Sequence, residues 1–464
     1  MKININNLGL IGQANIELAD LTIVCGENNT GKTYVTYLIY CLLQSWQALT
    51  EIDIDDELEE LRQKGSVQIN LQHVIVDHWQ ELCKQSTNKL VKRLPDMLAA
   101  KSELFTKFQL EVEIPLDTEA LTQQGYNDEL RSPQGNLLLT LSKEKGSLNF
   151  EITSLQTEGK PLDAINLERF IEDRLLNFVF EGVIPDVMIA STERTGATTF
   201  KKQLNLATTN LLELLSQSHK EGEQSITPMQ VFETMYARRE YALPVQQNVR
   251  FINQLPNVTD TESELCQQYP ELLKSFEAIV GGTYVTNKDG ATHFKPKGTT
   301  TPKLSLGEVS SSVRSLMIVW YWLKYEAKRG GMLIIDEPEL NLHPANQRRL
   351  ARFLVALVNH GVKVFITTHS DYIVREFNTL IMLNSVNTEK LPTAKELSDY
   401  SYTDRLDYNK VKMYMTTRKT KAAKIYGLSE TKITSEFGID APNFDAVIRD
   451  MQEVQDFLRY GDYE

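Results

Sequence analysis

Cysteine is scarce in this chain. Its 464 residues hold four cysteines, Cys25, Cys41, Cys83 and Cys266, with no C-x-x-C pair and no accompanying histidine cluster. A structural zinc and a disulfide framework are therefore both unexpected. Cys25 and Cys41 sit in apolar runs and read as small core residues. Long hydrophobic runs are missing as well. No stretch approaches the ~20 apolar residues of a membrane span. The opening MKININNLGL has no charged segment followed by an apolar one, so it does not read as a signal peptide. A soluble, cytoplasmic protein without membrane association is expected. Pro228, Pro244, Pro256 and Pro270 interrupt the helical patterns of residues 200–280 and exclude a long continuous coiled coil there. Internal repeats and low-complexity tracts are absent. So is a basic surplus: the formal net charge is −13 and the pI about 5.2. A dedicated nucleic-acid binder is usually basic. Any such role must rest on local patches or on a partner.

What is present is ordinary globular material, 41% hydrophobic and 24% charged. Short strands are expected at Lys2–Asn6, Ala14–Leu18 and Leu21–Cys25, then a helix over Tyr34–Leu49. Residues 51–180 read as an α+β insertion. It is helical to about Lys101. Alternating segments at Phe108–Ile114, Asn136–Leu141 and Ser147–Thr153 suggest a small antiparallel sheet, and Asn166–Phe180 is helical again. Val187–Ala190 reads as a core strand, opening a return strand and helical lobe over residues 181–300. Residues 301–385 bring a helix through Tyr325, a strand ending in acids, a helix at Pro344–Asn359, a strand at Val362–Thr368, a short helix at Asp371–Phe377 and a last strand at Leu380–Leu383. The strand–helix alternation indicates a largely parallel α/β core, with residues 1–50 and 301–385 as its halves. Residues 386–464 read as a small C-terminal domain, with a basic stretch at Arg418, Lys419, Lys421 and Lys424 and a helix near 441–459. The basic stretch suits nucleic acid, an acidic partner or simply a solvated face.

Four motifs carry chemistry. Gly26-Glu27-Asn28-Asn29-Thr30-Gly31-Lys32-Thr33 fits G-x-x-x-x-G-K-[ST] without a mismatch. Its glycines let backbone N–H groups curl around phosphate oxygens, and the helix that follows, with Tyr34 in its first turn, points its positive end at them. Lys32 supplies a cation to β- and γ-phosphates, and the Thr33 hydroxyl is a hard ligand for Mg²⁺. Met332–Ile335 followed by Asp336 and Glu337 is a buried strand ending in two acids. Asp336 is placed to meet the Mg²⁺ shell and Glu337 to act on an attacking water. Leu304-Ser305-Leu306-Gly307-Glu308 leads into a helix. Ser305 and Gly307 precede the helix start and Glu308 falls in the first turn, which suits phosphate binding or, alternatively, plain capping by Ser305 and Glu308. Thr367-Thr368-His369-Ser370 ends a strand, where His369 can donate to a γ-phosphate.

The order and spacing of these motifs resemble the ABC/SMC-type AAA ATPases, the group that includes the RecF-like and overcoming-lysogenization-defect proteins. GENNTGKT resembles their Walker A, LSLGE their signature, LIIDEPE their Walker B with the catalytic glutamate, Glu339–His343 their D-loop and His369 their switch histidine. The similarity covers about residues 1–45 and 300–385, with the strand at 187–190. It implies ATP and Mg²⁺ as cofactors and ATP hydrolysis as the activity. Lys32, Glu337 and His369 would be catalytic. Gly26, Asn28, Asn29, Thr30, Gly31, Lys32, Thr33, Tyr34, Ser305, Gly307 and Glu308 would bind nucleotide, and Thr33 and Asp336 metal. It also implies a composite site in a homo-oligomer, with Ser305 and Gly307 of a second copy closing over the γ-phosphate. The sequence departs from the group in three respects. Leu306 stands at the second signature position. No Q-loop glutamine is evident after Val187–Ala190, where Glu193 and Arg194 could serve. Arg194 could instead meet a phosphate or partner, or form a surface salt bridge. The long coiled-coil arms are absent. That last feature resembles compact ATPase subunits of anti-phage systems such as Septu and PARIS. It implies a separate effector, a nuclease or toxin, with DNA or a phage protein as trigger. A DNA-repair ATPase binding DNA directly and a slow nucleotide-dependent scaffold are the alternatives.

Overall fold

The computed structural model describes residues 1–132, 135–155, 167–199, 241–258, 261–287, 291–298, 302–385, 400–418, 425–440 and 442–460. The strands are β1 (Lys2–Leu8), β2 (Ile11–Glu17), β3 (Leu21–Cys25), β4 (Ser66–Asn70), β5 (Gln109–Glu113), β6 (Tyr126–Arg131), β7 (Leu137–Lys143), β8 (Asn149–Ser154), β9 (Val187–Ala190), β10 (Gly282–Thr286), β11 (Thr292–Pro296), β12 (Leu304–Ser305), β13 (Met332–Asp336), β14 (Lys363–Thr368), β15 (Val411–Arg418) and β16 (Tyr426–Glu430).

A nine-stranded sheet in the order β5-β1-β2-β16-β15-β3-β14-β13-β9 forms the centre. From β15 to β9 every neighbour is parallel, whereas β5, β1 and β2 form an antiparallel wing. The two classes follow from side-chain pattern. In β1 and β2 buried Ile3, Ile5, Ala14 and Ile16 alternate with polar residues, so one face is covered. β3 and β13 are buried at every position, as a strand covered on both faces must be. Leu21, Ile23, Leu333, Ile335, Val364 and Ile366 pack into one apolar layer, and Val24, Ile334 and Phe365 into the other. The helix Lys32–Leu49 covers the second layer, while Ser311–Tyr325, Pro344–Asn359 and Asp371–Ser385 cover the first. The α/β class, the mostly parallel core and the antiparallel N-terminal strands are as expected. Among the described residues no helix is long and apolar enough to cross a membrane.

Several expected elements fall elsewhere. The segment Phe108–Ile114 does not join a small sheet. As β5 it pairs with β1, setting Leu110 opposite Ile5 and Val112 opposite Ile3, so its apolar alternation extends the covered face of the central sheet. The small antiparallel sheet is β4-β8-β7-β6. Its β4 lies in a stretch expected to be helical, yet Val67 and Ile69 alternate with exposed residues over only five positions. The stretch Leu380–Leu383 is not a strand. Phe377, Leu380 and Ile381 are buried at helical spacing in the single helix Asp371–Ser385.

The last strand of the parallel set comes instead from the tail, and this corrects the reading of residues 386–464 as an appended C-terminal domain. β15 lies between β3 and β16, with Met413 opposite Ile23, and β16 pairs with β2. β15 and β16 thus close the sheet between its antiparallel wing and its parallel core, while two further short strands of the tail, Ile433–Thr434 and Gly438–Ile439, pair with each other. The helix near 441–459 is present as Pro442–Tyr460. Lys419, Lys421, Lys424 and Pro228 lie outside the described residues.

Burial of Met413, Tyr414, Met415, Tyr426 and Leu428 at roughly 1.5–3 kcal/mol each is worth about 10 kcal/mol. That is comparable to the whole stability of an ordinary domain. Ending the chain at Leu406 should therefore abolish cooperative thermal unfolding and soluble expression. Ending it at Asp440, which removes only the final helix, should leave the melting temperature within a few degrees of the full chain.

Candidate active site

The parallel strands end along one edge. Cys25 lies opposite Thr368 and Met415, Asp336 opposite Thr367, and Ile335 opposite Ala190. The segments Gly26–Thr33, Glu337–Leu340, His369–Ser370 and Ser191–Arg194 therefore leave the sheet side by side, and the end of β15, Thr416–Arg418, runs on beside them while still paired with β16. This is where ligands bind to open parallel sheets.

The loop after β3 is held in a shape that only its residue types allow. Gly26 has φ +153, and a Cβ there would stand 1.8 Å from the Thr416 hydroxyl of β15. Gly31 has φ +97 and packs against Ile11. Between them Asn29 is left-handed at φ 58, and the Thr30 hydroxyl donates to the Glu27 carbonyl at 2.9 Å. No side chain caps the N-terminus of the helix Lys32–Leu49. Its first N–H groups are thus available to an anion. The buried Lys32 ammonium donates to the carbonyls of Gly26 and Glu27 at 2.9 and 2.7 Å. Burial pushes its pKa down, and Glu337 and Asp336 pull it back up. Asn28 and Asn29 are exposed. Tyr34 lays its ring against Gly9 in the β1–β2 turn.

Asp336, at the end of β13, is fully buried. It accepts a hydrogen bond from the Thr367 hydroxyl, and the nearby Thr33 hydroxyl also favours its charged form. Its Oδ2 is buried and has no hydrogen-bond partner. Burial raises this carboxyl from 3.8 to about 6, against the pull of the two hydroxyls. A buried carboxylate with an orphaned oxygen beside a threonine hydroxyl is a hard-oxygen donor pair suited to Mg²⁺. Thr33 and Asp336 thus fit the ion.

Glu337 has φ 52, left-handed for a residue with a side chain, a conformation that persists only where the surroundings impose it. They do so here. Its N–H is shared between the Thr367 carbonyl at 3.2 Å and the Thr367 hydroxyl at 3.1 Å, and its carbonyl accepts from Arg194 at 2.8 Å. His369 places Nδ1 3.7 Å from the Glu337 carboxylate and 3.2 Å from that of Glu339. Glu339 is buried and accepts from the Thr368 hydroxyl at 2.9 Å and the His369 N–H at 2.8 Å. It orients the imidazole from behind.

Lys32, Thr33, Asp336, Glu337 and His369 are thus brought together. Ser305, Gly307 and Glu308 are exposed in the turn that follows β12, where Ser305 pairs with His293 of β11 and Glu308 bonds back to Ser305. Glu308 is not in the first turn of the helix. Ser310 caps that helix by accepting from Val313 N–H, while Glu308 accepts from the Ser305 N–H and hydroxyl at 2.8 and 2.7 Å. These bonds hold the Glu308 carboxyl below its usual range. The surface salt bridge and the phosphate or partner contact weighed for Arg194 are both replaced. Arg194 is fully buried and donates to backbone carbonyls alone, and burial pushes its pKa down to about 10. Glu193 is exposed and accepts from the Tyr37 hydroxyl at 2.6 Å. The sequence reading placed Glu339 only as the start of the D-loop segment Glu339–His343 and gave no role to Thr367 or Thr416.

Residues 1–374 match the AAA ATPase domain family. No curated protein matches the chain. Among solved structures, an SMC head bound to the C-winged helix domain of ScpA aligns at 8% identity and TM-score 0.34, covering 92% of this chain and 96% of that one. The SMC head domain from Thermotoga maritima aligns at 10% identity and TM-score 0.31, covering 93% and 98%. An SMC head with an extended coiled coil, bound to the C-terminal domain of ScpA derived from Pyrococcus furiosus, aligns at 10% identity and TM-score 0.33, covering 98% of each chain.

The raised carboxyl of Asp336 has a measurable consequence. Its neutral form is favoured by the fold, so its ionisation costs stability. The cost is absent below pH 3.8, grows as pH rises through the two values, and is complete above about 6. It amounts to about 3 kcal/mol at most. Asp336→Asn should therefore raise the nucleotide-free melting temperature at pH 7.5 by several degrees. The gain should shrink toward zero as pH falls to about 4, as followed by circular dichroism.

Proposed function

Because the chain belongs to the AAA ATPase domain family, we propose that it binds ATP with Mg²⁺ and hydrolyses it at the sheet edge described above, in an ABC/SMC-type composite site. The convergence of Thr33, Asp336, Lys32, Glu337 and His369 on one edge carries this reading. In phosphoryl transfer the protein acts almost wholly by positioning and electrostatics. The loop from Gly26 to Thr33 holds the β- and γ-phosphates through its N–H groups, the helix end and the Lys32 ammonium. Mg²⁺ held by Thr33 and Asp336 would neutralise charge on the phosphate oxygens. Glu337, fixed in its left-handed conformation, aims a water in line with the γ-phosphorus and takes its proton. His369, backed by Glu339, contributes a donor toward the γ-phosphate. Ser305 and Gly307 of a second copy close the site, so that ATP joins two copies and hydrolysis parts them.

At the next level we infer a regulatory ATPase subunit of an anti-phage assembly that restrains or releases a separate effector. The support is the likeness of the motif set to compact defence ATPases. The net charge of −13 favours it over direct DNA binding.

Two variants test the chemistry. Glu337→Gln should lower kcat by at least a hundredfold, leave ATP affinity within a fewfold, and trap a dimer or larger species in size-exclusion chromatography with ATP and Mg²⁺. Lys32→Ala should lose nucleotide binding and that species together. Unchanged turnover in Glu337→Gln would remove its role as base, and a monomer under all conditions would remove the composite site. Pull-down of a neighbouring nuclease by the trapped species, rather than salt-sensitive capture of duplex DNA, supports the regulatory reading over the repair one.

A further inference from the structure

The buried Arg194 occupies a junction that ATP chemistry as proposed above does not use. Its guanidinium donates to the Ser191 carbonyl at 2.8 Å and the Asp336 carbonyl at 2.7 Å through Nη1, to the Glu337 carbonyl at 2.8 Å through Nη2, and to the Ser315 carbonyl at 3.0 Å through Nε. Those carbonyls belong to separate parts of the fold. Ser191 follows β9, Asp336 and Glu337 end β13, and Ser315 lies in the helix Ser311–Tyr325 that leads away from the signature turn.

The other end of that path is equally direct. Arg314, the residue before Ser315, reaches back to the signature turn, donating to the Leu306 carbonyl at 3.1 Å and the Val309 carbonyl at 2.7 Å. The Ser315 hydroxyl also reaches the Leu340 carbonyl, just beyond Glu339, at 3.4 Å. The turn that carries Ser305 pairs with β11 on one side, and on the other it has a direct path through Arg314 into the helix and from Ser315 into the guanidinium that holds Glu337. The planar fork of Arg194 is rigid and fully buried. Moving the Ser315 carbonyl without moving Glu337 would strand a buried donor, a costly outcome.

We propose that Arg194 is a positioning residue that couples the signature helix to Glu337. On this reading, docking of a second copy's nucleotide on Ser305 adjusts the water-orienting glutamate of this chain's own site. The inference rests on the ATPase reading above. Arg194 is buried and acts through backbone carbonyls alone. The two sites of an ATP-joined pair are then coupled through each subunit, not only across the interface.

The test uses the full chain, with Arg194→Lys as the conservative variant, which keeps the charge and loses the fork, and Arg194→Met. In variants whose melt stays cooperative, affinity for a fluorescent ATP analogue should remain within threefold of the parent. Single-turnover hydrolysis should fall at least tenfold, with lysine recovering only part of the loss seen with methionine. Hydrolysis within twofold of the parent in a folded variant overturns the proposal, as does a loss that lies wholly in affinity. Should both variants fail to fold, hydrogen exchange decides. In Glu337→Gln with ATP and Mg²⁺, the amides of Glu339–Leu342 should gain protection that disappears when Ser305→Arg is added to block docking. Equal protection with and without Ser305→Arg overturns the coupling. Parent protein that does not hydrolyse ATP, or hydrolysis indifferent to Lys32→Ala, would instead overturn the ATPase reading.

Discussion

The site depends on keeping a carboxylate dry. Asp336 is entirely buried at the end of a buried strand, with one oxygen satisfied by the Thr367 hydroxyl and the other by nothing in the protein. Such a group is expensive to ionise, and the fold offsets the cost by surrounding it with oriented donors. Thr367 alone serves twice, donating its hydroxyl proton to Asp336 and accepting the Glu337 N–H on the same oxygen. Arg194 takes the carbonyls of Asp336 and Glu337 from the opposite side. The left-handed turn at Glu337 follows from this double grip. The carboxylate proposed to handle water, Glu337, is displaced from the strand line, while Asp336, proposed to meet metal, stays on it. Two adjacent acids thereby acquire different surroundings and different work.

A second constraint comes from the far end of the chain. The phosphate loop is shaped from within by Gly26 and Gly31, but its first glycine is also pressed by Thr416 of β15. The stretch that matches the ATPase family ends at residue 374, so the strand that backs the loop lies outside it. β15 is also anchored across the sheet, where the Tyr414 hydroxyl bonds both the N–H and the carbonyl of Glu17. Loop geometry and tail insertion are thus a single packing problem. A bulkier residue at Gly26 would fail because of a strand almost four hundred positions away.

This contrast explains what the sequence could and could not reveal. The phosphate loop, the acids after β13 and His369 were legible because each is a short segment whose chemistry is written in adjacent residues. The helix over 311–325 was legible for the same reason, through its apolar spacing, although its cap was misplaced because Ser305 and Ser310 are equally good oxygen donors to a helix end. Contacts across great sequence distance were not legible. Arg194 reaches carbonyls more than a hundred residues ahead, and backbone carbonyls leave no residue-type signature. β15 and β16 were invisible as core strands because a tail that joins a sheet in the middle looks locally like one that forms its own. Leu380–Leu383 misled through an apolar run too short to separate helix from strand by periodicity alone.

The arrangement also bears on how a turn as exposed as Ser305–Glu308 can matter to catalysis. Glu308 closes on Ser305, Arg314 closes on Leu306 and Val309, and Ser305 pairs with His293 of β11. A turn braced in this way moves as a unit with the helix behind it, because Arg314 of that helix bonds two of its carbonyls. The side chain of Leu306, where a glycine is usual, packs against the same apolar layer that holds Val313, Leu316 and Met317. It trades the flexibility of glycine for contact with that layer. A stiffer turn transmits displacement more faithfully than a flexible one. The substitution that looks like a defect when the motif is read alone is therefore consistent with a signature whose task includes conveying force to the helix as well as offering a serine.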